Sequence, residues 1–375
     1  MKFLPLVFKS IMRNRRRTVL MAAGIAVAVF VISALLTVEA GFGALVGSAQ
    51  DTLLDVREKG LACMVTGRVF DSYLGSISRN HGVSSATGVL RGIYTYQSKE
   101  NLVTVSGVDY DVFRDLKAIR VVKGSEQAFA ARPDAALVGQ PLATQYGWRE
   151  GQSVSLLEDR LTFTIAGIFV SPDKAYESGV LLHKKYLARL KHDEGKSTYL
   201  LVSLKNPADV SAVSRAIDSE FANHPKPTKT QSERAARERE LQEFIDIRRM
   251  FALLVLAVIV VSIFGAANSV SMSVRERTRE VGILRSLGLR KEHILGILIG
   301  ESVSVALVGG AIGMGLASLL LATDRTMGGM IPLSLRPSTL ILAAAVSILI
   351  GLVGAVLPAV RATKLSIVDA LRLAD

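Results

Sequence analysis

The chain has one cysteine, Cys63, in 375 residues, which excludes a disulfide framework and a multi-cysteine zinc or iron–sulfur site. Charged residues make up 21% and aromatics 6%, so the chain is too apolar for disorder and unusually apolar for a soluble enzyme of this length. The five histidines, at 81, 183, 192, 224 and 293, show neither HxxxH nor HExxH spacing, and no metal site is legible in them. No GxSxG elbow is present, and Cys63 has no recognisable nucleophile context. Gly195-Lys196-Ser197-Thr198 ends like a phosphate loop, but that motif needs a glycine where Leu190 stands. Catalysis by this chain is not expected, and neither is a cofactor of its own.

Long apolar runs are what the sequence does have. Val19 to Val38, Met250 to Val274 and Ser338 to Val360 carry no charge, and Ile294 to Thr323 carries only Glu301. A helix of twenty residues matches the ~30 Å hydrocarbon core, so four spans are expected. The net charge of +12 is distributed unevenly. Lys2, Lys9, Arg13, Arg15, Arg16 and Arg17 precede the first span, and Arg275, Arg277, Arg279, Arg285, Arg290 and Lys291 separate the second and third. Arg361, Lys364 and Arg372 follow the fourth, whereas the loop between the third and fourth holds only Arg325 and Arg336. Basic loops stay cytoplasmic, so both termini are expected in the cytoplasm, and Glu39 to Arg249, about 210 residues, forms one outer domain.

The resulting fold class is an α-helical membrane protein with four transmembrane helices and a large α+β extracytoplasmic domain between the first and second spans. Residues 1–17 form a cytoplasmic amphipathic helix and 18–38 the first span. The outer domain is 39–232, a stalk helix 233–249, and the second span 250–274. A cytoplasmic helix and loop occupy 275–292, the third span 293–323, a short outer loop 324–337, the fourth span 338–360 and a cytoplasmic end 361–375. Within the domain, β-branched runs at 61–69, 101–108, 152–157, 160–170 and 198–204 predict strands. Apolar spacing at 52–58, 184–190 and 209–221 predicts helices. The polar, Pro- and Lys-rich stretch from Asn223 to Ser232 predicts a linker.

The inner loop carries apolar residues at 281, 284 and 287 beside charges at 275, 276, 277, 279 and 280. Composition alone leaves two readings of this helix open, an interfacial helix on anionic lipid and a docking helix in a partner's groove. VRERTREVGILRSLGLRKEHI followed by LIGESVSVALVGGAIGMGLAS, with LPAVRATKLSIVDALR at Leu357 to Arg372, resembles the core and closing motifs of the MacB/FtsX-type permeases of ABC transporters. FKSIMRNRRRTVLMAAGIAVAV resembles that family's first span. VTVSGVDYDVF and the segment from Ala135 to Phe169 resemble its MacB-like periplasmic domain.

The resemblance implies a mechanotransmission-type permease subunit of a bacterial inner membrane, paired with a second permease subunit as a homodimer or related heterodimer. It also implies two copies of a separate cytosolic ABC ATPase, which would bind ATP and Mg. The coupling helix that docks this ATPase would comprise Arg275, Glu276, Arg277, Arg279, Glu280, Val281, Leu284, Arg285, Leu287 and Gly288. Asn268, Glu301, Gly309 and Gly313 are candidates for polar contacts or helix packing within the membrane, between subunits or inside one. Export or envelope transport of a hydrophobic compound, peptide or lipoprotein is the expected activity, with a periplasmic adaptor or envelope protein as outer partner and no nucleic acid. The alternative is an FtsX-like signalling subunit that activates a cell-wall hydrolase.

Overall fold

A computed structural model describes residues 15–60, 66–158, 161–276, 290–323 and 337–364, with 278, 283, 286, 326–327 and 331–332 between them. Helix α1 (Arg15–Gly47) leads into β1 (Leu53–Glu58), β2 (Val69–Phe70), α2 (Tyr73–Ile77), β3 (Val83–Tyr96) and β4 (Ser98–Val108). There follow α3 (Tyr110–Leu116), β5 (Arg120–Gly124), α4 (Glu126–Ala131), β6 (Ala135–Gly139), α5 (Gln140–Tyr146), β7 (Ser153–Ser155) and β8 (Thr162–Val170). The domain is completed by α6 (Lys174–Glu177), β9 (Val180–His183), α7 (Lys184–Lys191), β10 (Lys196–Ser197), β11 (Tyr199–Leu204), α8 (Val210–Glu220) and β12 (Thr228–Ser232). Three long helices follow among the described residues: α9 (Glu233–Glu276), α10 (Lys291–Thr323) and α11 (Pro337–Lys364). The chain divides into two compact units, one of 1–37, 247–322 and 335–375, the other of 38–246 with 323–334.

The first unit is helical. Stretches of α1, α9, α10 and α11 are long and apolar enough to cross a membrane. Helices in lipid gain little from burying apolar surface against one another, so close backbone approach at small residues must hold them together. Gly309 and Gly313 provide it. A Cβ at Gly309 would lie 2.6 Å from the Ala22 carbonyl oxygen, and one at Gly313 2.4 Å from that of Ala26. On α11, a Cβ at Gly354 would come within 2.6 Å of the Ala266 side chain. Ala28, Val29, Ala306, Ala343 and Ile350 fill the space these contacts leave. Leu20, Val261, Phe264 and Ile341 remain more than two-thirds exposed, as expected of side chains whose solvent is lipid.

The second unit is built on a ten-stranded sheet with the order β12-β1-β11-β3-β4-β9-β6-β8-β5, with β7 added to β8. Strand β3 is fourteen residues long and serves two neighbours in succession. Its first half pairs antiparallel with β11 and its second half with β4, so one strand runs through both halves of the domain. Around its first half, Leu54, Val56, Tyr73, Val202, Val213 and Ile217 form one core. Beyond it, Trp148, Val105, Val138 and Phe163 fill the space on one side, and Phe113, Phe129, Phe169 and Tyr176 fill the other.

Two local expectations fail, for the same physical reason. Residues 52–58 read as a helix but form β1, which lies between β11 and β12 with Leu53, Leu54, Asp55 and Val56 buried in succession. Residues 223–232 read as a linker, yet Thr228–Ser232 is the edge strand β12. Its two threonines share one side chain: Asp218 accepts from the Thr228 hydroxyl at 3.0 Å, the Thr230 hydroxyl at 2.7 Å and the Thr230 N–H at 3.1 Å. In both cases ladder partners distant in sequence override local propensity.

Candidate functional site

Where α9 begins, four charged side chains meet inside the domain. Lys117 follows α3, Asp173 immediately precedes α6, and Glu233 and Arg237 lie four residues apart in the opening turns of α9. Their side chains are 0%, 2%, 4% and 9% exposed. Asp173 Oδ2 accepts from Lys117 Nζ at 2.9 Å and from Arg237 Nη2 at 2.6 Å. Glu233 Oε1 accepts from the same two donors, Lys117 Nζ and Arg237 Nη2. Two acids and two bases therefore close a neutral ring. Burying charge is tolerated only with such pairing. Burial pushes the Asp173 carboxyl up, but Lys117 and Arg237 outweigh it and hold the group below its ordinary range. Burial works against the Arg237 charge, and Asp173 and Glu233 reverse the effect, raising it above its ordinary value.

The ring also holds the end of α1. Arg237 Nη1 donates to the Leu45 carbonyl at 2.7 Å and to the Ser48 hydroxyl at 3.0 Å. Carbonyls in the last turn of a helix lack intrahelical partners, and here a side chain of α9 supplies one. The Gln50 N–H donates to Glu233 Oε2 at 3.2 Å, and the Gln50 side chain donates to the Leu116 carbonyl at 3.0 Å. On the domain side, the Ser171 hydroxyl donates to the Lys117 carbonyl at 2.7 Å and accepts from the Asp173 N–H at 3.1 Å. Asp173 Oδ1 accepts from the Ala175 N–H at 3.1 Å and so caps α6. That short helix carries Tyr176, which lies under Lys117 Nζ with 5.1 Å to the ring centre and shares a 2.5 Å hydroxyl contact with Tyr199 of β11. Arg91 of β3 stacks on both rings.

None of these four residues is singled out by the sequence reading. Only the Glu233/Arg237 spacing of four is a local signal; Lys117 and Asp173 read as ordinary surface charges until the fold buries them.

In the helical unit, Thr18, Ser269, Ser273, Glu301 and Ser302 line a small polar cleft. Glu301 is 9% exposed and faces this cleft, and the Ser302 hydroxyl donates to the Gly351 carbonyl at 2.9 Å. Asn268 lies apart from it, exposed on α9. Gly309 and Gly313 meet α1 of the same chain. In the charged inner segment, Arg275 and Glu276 are exposed at the end of α9, and Thr278, Ile283 and Ser286 are helical. Arg277, Arg279, Glu280, Val281, Leu284, Arg285, Leu287 and Gly288 lie outside the described residues.

Comparison with known proteins follows the same division. The MacB-like periplasmic core domain family matches residues 18–220, more than half of the chain, and the FtsX-like permease C-terminal family matches 252–367. The macrolide export ATP-binding/permease protein MacB of Shewanella sp. (strain ANA-3) is 38% identical over 123 residues, 32% of this chain and 19% of that protein. Its counterpart in Chromobacterium violaceum is 41% identical over 125 residues, again 19% of its length. The chain thus spans about one fifth of the length of these MacB relatives. An uncharacterized ABC transporter permease of Methanocaldococcus jannaschii is 27% identical over 206 residues, 52% of this chain and 51% of that one. Among solved structures, the periplasmic region of MacB from Actinobacillus actinomycetemcomitans covers 52% of this chain and 94% of its own at a TM-score of 0.39 and 9% identity. The extracellular domain of the noncanonic ABC-type transporter YknZ from Gram-positive bacteria covers 48% and 98% at 0.37 and 11%. With a MacB-like core domain and an FtsX-like permease C-terminal region joined in one multi-pass membrane chain, the protein belongs to the MacB/FtsX-type permeases of ABC transporters.

Proposed function

We propose that this permease couples ATP hydrolysis by a separate ABC ATPase to movement of its large domain on the outer side of a bacterial inner membrane. Two permease chains, identical or related, would sit on two ATPase copies, with ATP and Mg held by the ATPase. Both termini and the 275–288 segment face the cytoplasm in this reading, which the basic residues beside the spans support. The observation that carries it is the continuity of α9, forty-four residues from the buried ring at Glu233 to the charged turn at Glu276. At 1.5 Å per residue such a helix is ~66 Å long, about twice the hydrocarbon thickness. A displacement at one end of a helix is conveyed to the other without an intervening loop to absorb it. The cargo class that fits is a hydrophobic compound, a peptide or a lipoprotein, handed to an adaptor or envelope protein.

Docking would use the apolar stripe of Val281, Leu284 and Leu287 in the partner's groove, with Arg275, Glu276, Arg277, Arg279, Glu280 and Arg285 steering the approach and Gly288 beside them. Co-expression with the neighbouring ATPase gene and purification in mild detergent is expected to yield both subunits. Val281→Asp with Leu284→Asp is expected to release the ATPase while the permease remains in the membrane. Retention of the ATPase by that variant refutes the docking surface.

A further inference from the structure

Resting on the coupling reading above, we infer that the ring of Lys117, Asp173, Glu233 and Arg237 is the joint through which α9 moves the outer domain, with Lys117 and Asp173 as the positioning residues on the domain side. An isolated ion pair allows its partners to pivot. Here each base bonds both acids, so rotation of α9 about its own axis must displace Lys117 and Asp173 together. Neither can yield alone, because Ser171 ties the main chains of both. Because Arg237 also bonds Leu45 and Ser48, the two chain segments that enter and leave the domain are gripped by one side chain. From Asp173 the load passes into α6, and from Tyr176 to Tyr199 of β11 and Arg91 of β3, the strand common to both halves of the sheet. Exposed ion pairs would serve poorly, since water and salt weaken them. These four are withdrawn from both.

The joint is testable in the full chain with its ATPase, reconstituted in lipid nanodiscs. In a Cys63→Ser background, a spin label at Leu157→Cys, a side chain 59% exposed on the domain, reports the distance between two copies with and without ATP. Arg237→Met and Asp173→Asn are expected to abolish the ATP-dependent shift while ATP turnover is unchanged, and Arg237→Lys is expected to restore the shift in part. A parental shift in both Arg237→Met and Asp173→Asn overturns the joint.

If the parent chain binds no ATPase, or its label does not respond to ATP, the coupling reading falls and the joint is judged by hydrogen exchange of the chain alone. The amides of 45–50, 173–177 and 233–237 are then expected to exchange as one unit in the parent and to accelerate together in Arg237→Met. Acceleration confined to 233–237 overturns the joint. Should either variant fail to fold, as shown by lost protection of the Trp148 core, Glu233→Gln takes its place with the same expected losses.

Discussion

The ammonium of Lys117 and the carboxylate of Asp173 lie 2.9 Å apart, with side chains 0% and 2% exposed. They are fifty-six residues apart in the chain and belong to no common element. Both also bond α9, Lys117 through Glu233 and Asp173 through Arg237. The domain therefore receives the helix at a point where all the charge is internally balanced.

Removing one member leaves the ring with an uncompensated charge. Asp173→Asn is expected to destabilise the domain by about 3–5 kcal/mol, the usual cost of breaking a buried pair from one side. The pH dependence has a definite sign. The folded carboxyl is held low, so the unfolded chain, with its Asp near the ordinary ~3.9, binds more protons in acid. Stability from Asp173 is thus complete above about pH 4 and is lost as pH falls through the lower folded value. Urea unfolding of the full chain, followed by fluorescence of the sole tryptophan, buried Trp148, should show a steeper acid decline in the parent than in the variant. Equal slopes would contradict the assignment.

Alkali tests the neighbouring phenols. Burial raises Tyr176 and Tyr199 above the ordinary phenol range, so the folded domain keeps them protonated at a pH where the unfolded chain ionises. Their contribution to stability is full below about pH 10 and is lost as pH rises toward the folded values. An ultraviolet titration of tyrosinate is expected to find these groups silent until the domain unfolds. Reversible ionisation of all eight tyrosines near pH 10 in the folded protein would count against their burial.

In the helical unit, Gly313→Val places a side chain where the Ala26 carbonyl oxygen lies 2.4 Å from the Cβ position. Overpacking of this kind costs about 1–3 kcal/mol. A lower thermal midpoint in detergent is expected for Gly313→Val and for Gly309→Val. Gly315→Ala, with nothing within 4 Å of its Cβ position, serves as the tolerated control.

Asn268 is a polar side chain exposed on α9 among apolar neighbours such as Phe264 and Met272. In the proposed dimer it would be placed to bond across the subunit boundary. Asn268→Leu is expected to weaken self-association in a bilayer by about 0.6 kcal/mol, roughly threefold in dissociation constant, as read by energy transfer between labelled chains. Unchanged or tighter association would remove Asn268 from the interface.

Much of this architecture was legible because membrane spans depend on a local property, an uncharged run of sufficient length. Val19 to Val38 or Ser338 to Val360 needs no knowledge of its neighbours to be read. Strand runs such as Asn101–Val108 and Arg160–Val170 were legible through their β-branched residues; the first lies within β4, and Thr162–Val170 of the second is β8. Leu53–Glu58 was not, because only Leu54-Asp55-Val56-Arg57 alternates within so short a run and its burial, Asp55 included, comes from β11 on one side and β12 on the other. Gly309 and Gly313 could be noticed as a small-residue pair, but that they face Ala22 and Ala26 of the same chain was not in their spacing.

The sequence by itself determined that this protein has four apolar segments separated by one large mixed domain and a basic turn, since hydrophobic length and charge bias act on each segment alone. The tertiary structure alone decided that Lys117, Asp173, Glu233 and Arg237 are a single buried unit. A charged residue in a sequence gives no sign of whether water or another charge will solvate it. That is settled only when the fold excludes the water and brings the opposite charge within bonding distance.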